Sequence, residues 1–162
     1  MDGVFTWSDD LSVGIEEIDH QHRTLIDILN RLFHAVVERK SEEVIGATLD
    51  ALIDYTFTHF ELEEQLMVNA GYDEAAFVSH QAAHKAFIDK VEGIARKSVM
   101  ENKMVAFELI NFLKHWLRDH ICVTDKQYAK ALRDAGYCTR QWEREARHAI
   151  QSRKRIWWKF WA

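Results

Sequence analysis

The chain contains no proline and only six glycines in 162 residues. Those two residues supply most of the special backbone angles of turns and hairpins, so their scarcity favours long helices joined by short loops. Apolar residues recur at helical spacing in four stretches. The first spans about Glu17 to Glu38, with Leu25, Ile26, Leu29, Leu32, Phe33 and Val36 on one stripe. The second spans about Ser41 to Asn69, with Ser41 as N-cap, Ile45, Leu49, Leu52, Thr56, His59, Glu63 and Met67 on its stripe, and Gly71 closing it. The third spans about Asp73 to Lys97, with Phe77, His80, His84, Phe87, Val91 and Ile94. The fourth spans about Asn102 to Ala135, with Val105, Leu109, Phe112, Trp116 and His120, and stops at Gly136. Short loops between helices of this length force antiparallel neighbours. The predicted fold is all-α, an up-down-up-down antiparallel four-helix bundle. The length is that of about one domain, and 48% apolar with 29% charged residues is ordinary for a globular chain.

Nine histidines stand out in this composition. His22, His59, His80, His84 and His120 fall on the apolar stripes, where a core helix would carry leucine, and so does Glu63. His59/Glu63 and His80/His84 are spaced i,i+4, which puts each pair on one helix face. Polar groups on a core face are costly unless satisfied. Counting from the predicted loops, antiparallel packing brings all six to one level of the bundle, about 25 Å from one end at 1.5 Å per residue. Asp125 lies five residues beyond His120, about 140° around an ideal helix. It joins the cluster only if the helix is overwound or carries a π-bulge between Ile121 and Asp125. His20, His34, His115 and His148 fall off the cluster and read as surface or rim residues.

Five imidazoles and two carboxylates exceed the four ligands of one tetrahedral zinc. They suit two metals bridged by the carboxylates, and a mixed nitrogen and oxygen set in a helical bundle favours iron.

The stretches that carry these residues are Val13-Gly-Ile-Glu-Glu-Ile-Asp-His-Gln-His22, His59-Phe-Glu-Leu-Glu63-Glu64, His80-Gln-Ala-Ala-His84 and Trp116-Leu-Arg-Asp-His120-Ile-Cys-Val-Thr-Asp125-Lys-Gln-Tyr. Together they resemble the hemerythrin family, most of all its single-domain bacterial members, over about Val4 to Leu132. The resemblance implies reversible dioxygen binding at a non-haem di-iron centre. By analogy His80, His84 and His120 hold one iron, and His22 and His59 hold the second, which keeps an open position for O2. Glu63 and Asp125 bridge the two irons together with an oxo or hydroxo group. Neutral imidazoles stabilise high-valent iron less than a carboxylate-rich set, which tilts such a site towards binding over oxidation. Leu25, Ile26, Met67, Phe87 and Trp116 lie one turn from ligands and are expected to form a dry wall. Trp116 is the first choice for lining an O2 pocket, with Phe60 and Leu62 as weaker candidates.

The net charge of −5 averages two unlike parts. Residues 139–162 carry a net +5 and the remainder −10. An acidic body is a poor nucleic-acid binder. The expected division is a bundle over residues 1–138 and a basic, Trp-rich C-terminal extension over 139–162. In the extension, Trp142, Ile150, Ile156, Trp157, Phe160 and Trp161 follow helical spacing opposite a basic face. That pattern predicts an amphipathic helical tail that rests on the bundle, another subunit, an anionic membrane surface or a protein partner. Cys122 and Cys138 lack disulfide-scaffold or metal-finger spacing and read as free thiols. No apolar run approaches the roughly 18 residues of a membrane span, and the first eleven residues have no signal-peptide pattern. The expected location is the cytoplasm, at the membrane periphery if the tail binds lipid, as a monomer or small oligomer. The leading functional expectation is an O2 carrier, store or buffer. An O2 or redox sensor and a di-iron enzyme (peroxidase or NO handling) are the alternatives, with no substrate cleft or acid/base pair visible for the enzyme.

Overall fold

The computed structural model describes residues 3–94 and 102–136, and the extension at 139–162, with Cys138 and His148, lies outside the described residues. The four predicted helices are present. α1 runs over Glu16–Val37, α2 over Glu42–Asn69, α3 over Glu74–Gly93 and α4 over Lys103–Asp119. A π-helical turn at His120–Asp125 continues α4 into α5, Lys126–Asp134. α1 packs on α2 and α4, and α2 on α3. Phe87 of α3 closes the remaining side against Trp116 of α4, ring centroids 4.1 Å apart.

Local chemistry sets the helix ends. The Asp73 carboxylate accepts from Ala76 N at 2.8 Å, and the Asn102 amide accepts from Met104 N at 2.9 Å, each satisfying an orphan donor of a first turn. Ser41 occupies the N-cap position of α2 without a side-chain cap bond. Its hydroxyl serves the Glu43 carboxylate instead, which it holds below the usual range. α2 ends in a Schellman arrangement: Tyr72 N donates to Met67 O, and Gly71, at φ +63°, donates to Val68 O. The third helix is shorter than the predicted Asp73–Lys97 reach. It ends at Gly93, with Ile94 extended at φ −87°, ψ 99°. Glycine has the largest backbone entropy to lose in a helix, which makes Gly93 a natural stop.

The N-terminal arm is an element that the helical periodicity did not reveal. A 3-10 turn at Asp9–Leu11 leads into α1, and Phe5, Leu11, Val13 and Ile15 are buried in the core. Asn30 pins the arm by accepting from Phe5 N and donating to Phe5 O. Asp19 accepts from Val13 N and Ser12 Oγ, and Arg133 of α5 donates to Val13 O. Gly14 sits at φ +74°, a left-handed conformation that L side chains rarely adopt, so this turn favours glycine. The arm thereby ties the first helix to the last at the end of the bundle nearest the π turn.

Candidate metal centre

His22 of α1, His59 and Glu63 of α2, His80 and His84 of α3, and His120 and Asp125 of the π turn converge at one level inside the bundle. All seven side chains are buried, Glu63 and Asp125 at 0% exposure. The π turn explains how Asp125 arrives. Its wider winding brings a residue five positions on back towards the face that His120 occupies. As a result Asp125 Oδ1 lies 3.0 Å from His120 Nε2, and Oδ2 lies 3.2 Å from His22 Nε2.

The carboxylates are shared in a specific way. Glu63 points Oε2 at His84 Nε2 (3.3 Å) and His80 Nε2 (3.5 Å). It points Oε1 at His59 Nε2 (3.5 Å) and His22 Nε2 (3.9 Å). Asp125 divides likewise, with Oδ1 also 3.7 Å from His80 Nε2. The ligand atoms form two groups, Glu63 with His80, His84 and His120, and Glu63 and Asp125 with His22 and His59.

Several of these atoms make no hydrogen bond: His22 Nε2, His59 Nε2, Glu63 Oε2 and both Asp125 oxygens. Buried anions cost several kcal/mol each unless they are compensated. On the imidazole side, His84 Nε2 lies 3.1 Å from His80 Nε2 and 3.0 Å from His120 Nε2, so three ring nitrogens converge on one point where a cation would meet all three. A metal ion in each group would meet both demands, and imidazole with carboxylate is a donor set that iron accepts. The residues present therefore fit a two-metal centre.

Neighbouring groups orient the ligands. His59 Nδ1 donates to the Gln21 amide oxygen at 2.9 Å. His84 Nδ1 donates to Glu64 Oε1 at 2.9 Å, and Gln81 donates to the other Glu64 oxygen. Tyr128 OH, one turn beyond Asp125, donates to Glu63 Oε1 at 2.8 Å. Burial, reinforced by the nearby Glu63 and Asp125 charges, pushes the Tyr128 hydroxyl well above its ordinary range, so it keeps its proton and remains a donor. Gln21, Glu64 and Tyr128 were missed in the sequence because they sit beside the stripe. Their signal was adjacency, one residue from His22, one from Glu63 and three from Asp125.

The ionisation states follow from burial and neighbours. Burial drops the His59 imidazole to about 4, outweighing the attraction of Glu63, so its lone pair is free at neutral pH. Burial also depresses His84, but the Glu63 and Glu64 carboxylates beside its two ring nitrogens overcome it and raise the group to about 9. Glu63 is held well below the carboxylate range by His59, His80 and His84 in spite of its burial. Asp125 is lowered through His120 and His22, against burial and the Glu63 charge. A metal that takes the His84 lone pair must displace a proton. Loading chelated protein with ferrous iron at neutral pH should release protons, and loading should weaken as pH falls. Titration in a pH-stat measures both.

The expected wall residues are all at least partly buried. Trp116 stacks on His120 at 4.2 Å and 14°, and Phe60 stacks on His84 at 3.7 Å and 7°. Leu25, Phe60, Phe87 and Trp116 border an apolar cavity of about 20 Å³. Leu117 and Leu113 border it as well, and the sequence stripe did not single them out. Ile26, Leu62 and Met67 are fully buried but border neither this cavity nor its neighbour between α2 and α3. His20 and His115 are exposed and His34 is partly buried, all three outside both ligand groups.

A helical bundle with two groups of imidazoles sharing buried carboxylates defines a class of protein, the dinuclear metal binders of bundle cores. Comparison with known proteins narrows the class. The family model described as "Hemerythrin HHE cation binding domain" matches residues 13–132. A bacteriohemerythrin of Stenotrophomonas maltophilia is 37% identical over 126 residues, covering 78% of this chain and 80% of that one. A bacteriohemerythrin of Methylococcus capsulatus is 32% identical, covering 80% and 97%. A crystal structure of wild-type hemerythrin aligns with a TM-score of 0.67 at 30% identity, covering 80% of this chain and 98% of that one. The chain belongs to the hemerythrin family.

Proposed function

We propose that this chain binds dioxygen reversibly at a non-haem di-iron centre and acts as a carrier, store or buffer of O2. The observation that carries this reading is the division of each carboxylate: Glu63 turns one oxygen to His80 and His84 and the other to His59 and His22, and Asp125 turns one to His80 and His120 and the other to His22. His80, His84 and His120 would hold one iron ion and His22 and His59 the other, with Glu63 and Asp125 shared, and the pair would supply the electrons for reversible O2 binding.

The remaining work belongs to the protein. Glu63 and Asp125 set the spacing of the two ions. Gln21 and Glu64 orient His59 and His84 by accepting hydrogen bonds from their Nδ1–H groups, so both rings present Nε2 inwards. Trp116, Phe60, Phe87 and Leu25 keep water out. The cavity they border has room for one water-sized molecule, yet its lining is apolar, and such cavities stay dry. Exclusion of water and protons suppresses the loss of bound O2 as reduced oxygen species. The described residues contain no helix long and apolar enough to cross a membrane. Residues 139–162 are read as an appendage to this unit, and co-sedimentation of the full chain with anionic vesicles tests whether it meets a lipid surface.

Reconstituting the chain with iron, reducing it under argon and admitting O2 tests the function. A stable oxy absorption spectrum that reverses under argon through several cycles is expected. Decay to the ferric form with continued consumption of reductant would point to an enzyme or a sensor instead. Trp116→Ala should accelerate autoxidation about tenfold or more by wetting the wall beside His120. An unchanged autoxidation rate and O2 affinity would remove Trp116 from the pocket.

A further inference from the structure

The two halves of the centre differ in what stands behind them. Behind His84, in the three-imidazole half, is the Glu64 carboxylate, 2.9 Å from Nδ1, itself steadied by Gln81 and 25% exposed. Behind His59, in the two-imidazole half, is the neutral amide of Gln21, also at 2.9 Å. A ring whose N–H is held by a carboxylate is a stronger electron donor than one held by an amide. Tyr128 adds to the same asymmetry from the other direction. Its hydroxyl donates to Glu63 Oε1, the oxygen that faces His59 and His22, and makes it the weaker donor of the two carboxylate oxygens. Glu63 Oε2, which faces His80 and His84, has no hydrogen-bond partner.

We infer that Glu64, Gln21 and Tyr128 are positioning residues that polarise the centre, so that the His80/His84/His120 half is built for the higher iron charge and the His22/His59 half for the lower. The inference rests on the di-iron reading. When a mediator dye delivers one electron to the diferric centre, one Fe(III) becomes Fe(II) with no ligand gained or lost, and the electron settles in the His22/His59 half.

Mediated spectroelectrochemistry of the iron-loaded full chain tests this with variants of opposite expected sign. Glu64→Gln weakens the donor behind His84 and should raise the reduction potential. A tenfold change in the one-electron equilibrium is about 59 mV. Gln21→Glu strengthens the donor behind His59 and should lower the potential. Tyr128→Phe returns electron density to Glu63 Oε1 and should lower it as well. If the buried Tyr128 variant does not load iron, the Glu64→Gln and Gln21→Glu pair carries the test, since both keep side-chain size. Potentials are compared at two irons per chain, with the melting temperature of each variant measured alongside, which separates an electronic effect from a structural one. Two irons per chain with opposed shifts for the pair support the inference. Two irons per chain with shifts of one sign, or no shift, overturn it and leave the di-iron reading standing. A wild-type chain that holds no iron overturns both.

Discussion

Glu63→Ala leaves a folded bundle that no longer holds two irons and no longer binds O2. Among the described residues, Glu63 alone belongs to both ligand groups. Its two oxygens lie within 3.3–3.9 Å of His84, His80, His59 and His22, so one substitution takes a donor from each ion. Loss of a group that only orients a ligand costs about 10–100-fold in metal affinity, and loss of a shared ligand should exceed about 100-fold. The fold survives because the packing around Glu63 comes from elsewhere. Leu62, Leu66 and Met67 of the same helix are buried in the apolar core, as are Leu25 and Leu29 of α1. Glu63→Gln refines the result. It keeps the volume and an acceptor for Tyr128 but loses the charge, and it should retain more metal than the alanine variant. Iron analysis with circular dichroism reads both outcomes. A Glu63→Ala chain with two irons and a normal oxy spectrum would refute the shared-ligand geometry.

The second large effect is that of removing the metal. A chelated chain should unfold at a much lower temperature than the loaded one. Binding to the native state alone, with free ion at 1,000 times Kd, adds about 4 kcal/mol. For a chain of this size each kcal/mol moves Tm by roughly 2–4 °C, so chelation should lower Tm by roughly 8–16 °C. The physical source is visible in the site. Both Asp125 oxygens, Glu63 Oε2, both His22 ring nitrogens and His59 Nε2 are buried with no hydrogen-bond partner, a cost that bound cations would relieve. Calorimetry with and without chelator measures the difference. Equal melting temperatures would mean that the cluster does not bind metal in the folded chain.

The ligand positions were legible because the sequence carries two independent periods. Helical spacing put His22, His59, Glu63, His80, His84 and His120 on core stripes, and the counts to the loops put them at one level. Asp125 was legible through its failure to fit an ideal helix, since only overwinding or a π-bulge could bring it in, and of the two the structure has a π turn at His120–Asp125. The end of α3 was less legible. Val91 and Ile94 continue the stripe, but Gly93 ends the helix and Ile94 is extended. His80 and His84 still reach the level of the other cluster residues, since both lie well before Gly93. The N-terminal arm had no local signal, since its partners Asn30 and Arg133 are distant in sequence and meet it only once the bundle exists. Gln21, Glu64 and Tyr128 lie off the apolar stripes, and a pattern of burial does not show what a polar neighbour touches. Leu113 and Leu117 were hidden for a related reason. A core stripe is wider than one row, and the rows beside Trp116 carry the cavity wall.

The most direct test of the account is the gas stoichiometry of the reduced, iron-loaded chain. Manometric or optical titration with O2, with iron analysis of the same sample, should give two irons and one O2 per chain, with the O2 fully recovered under argon. One zinc per chain, or O2 taken up and not returned, would contradict it.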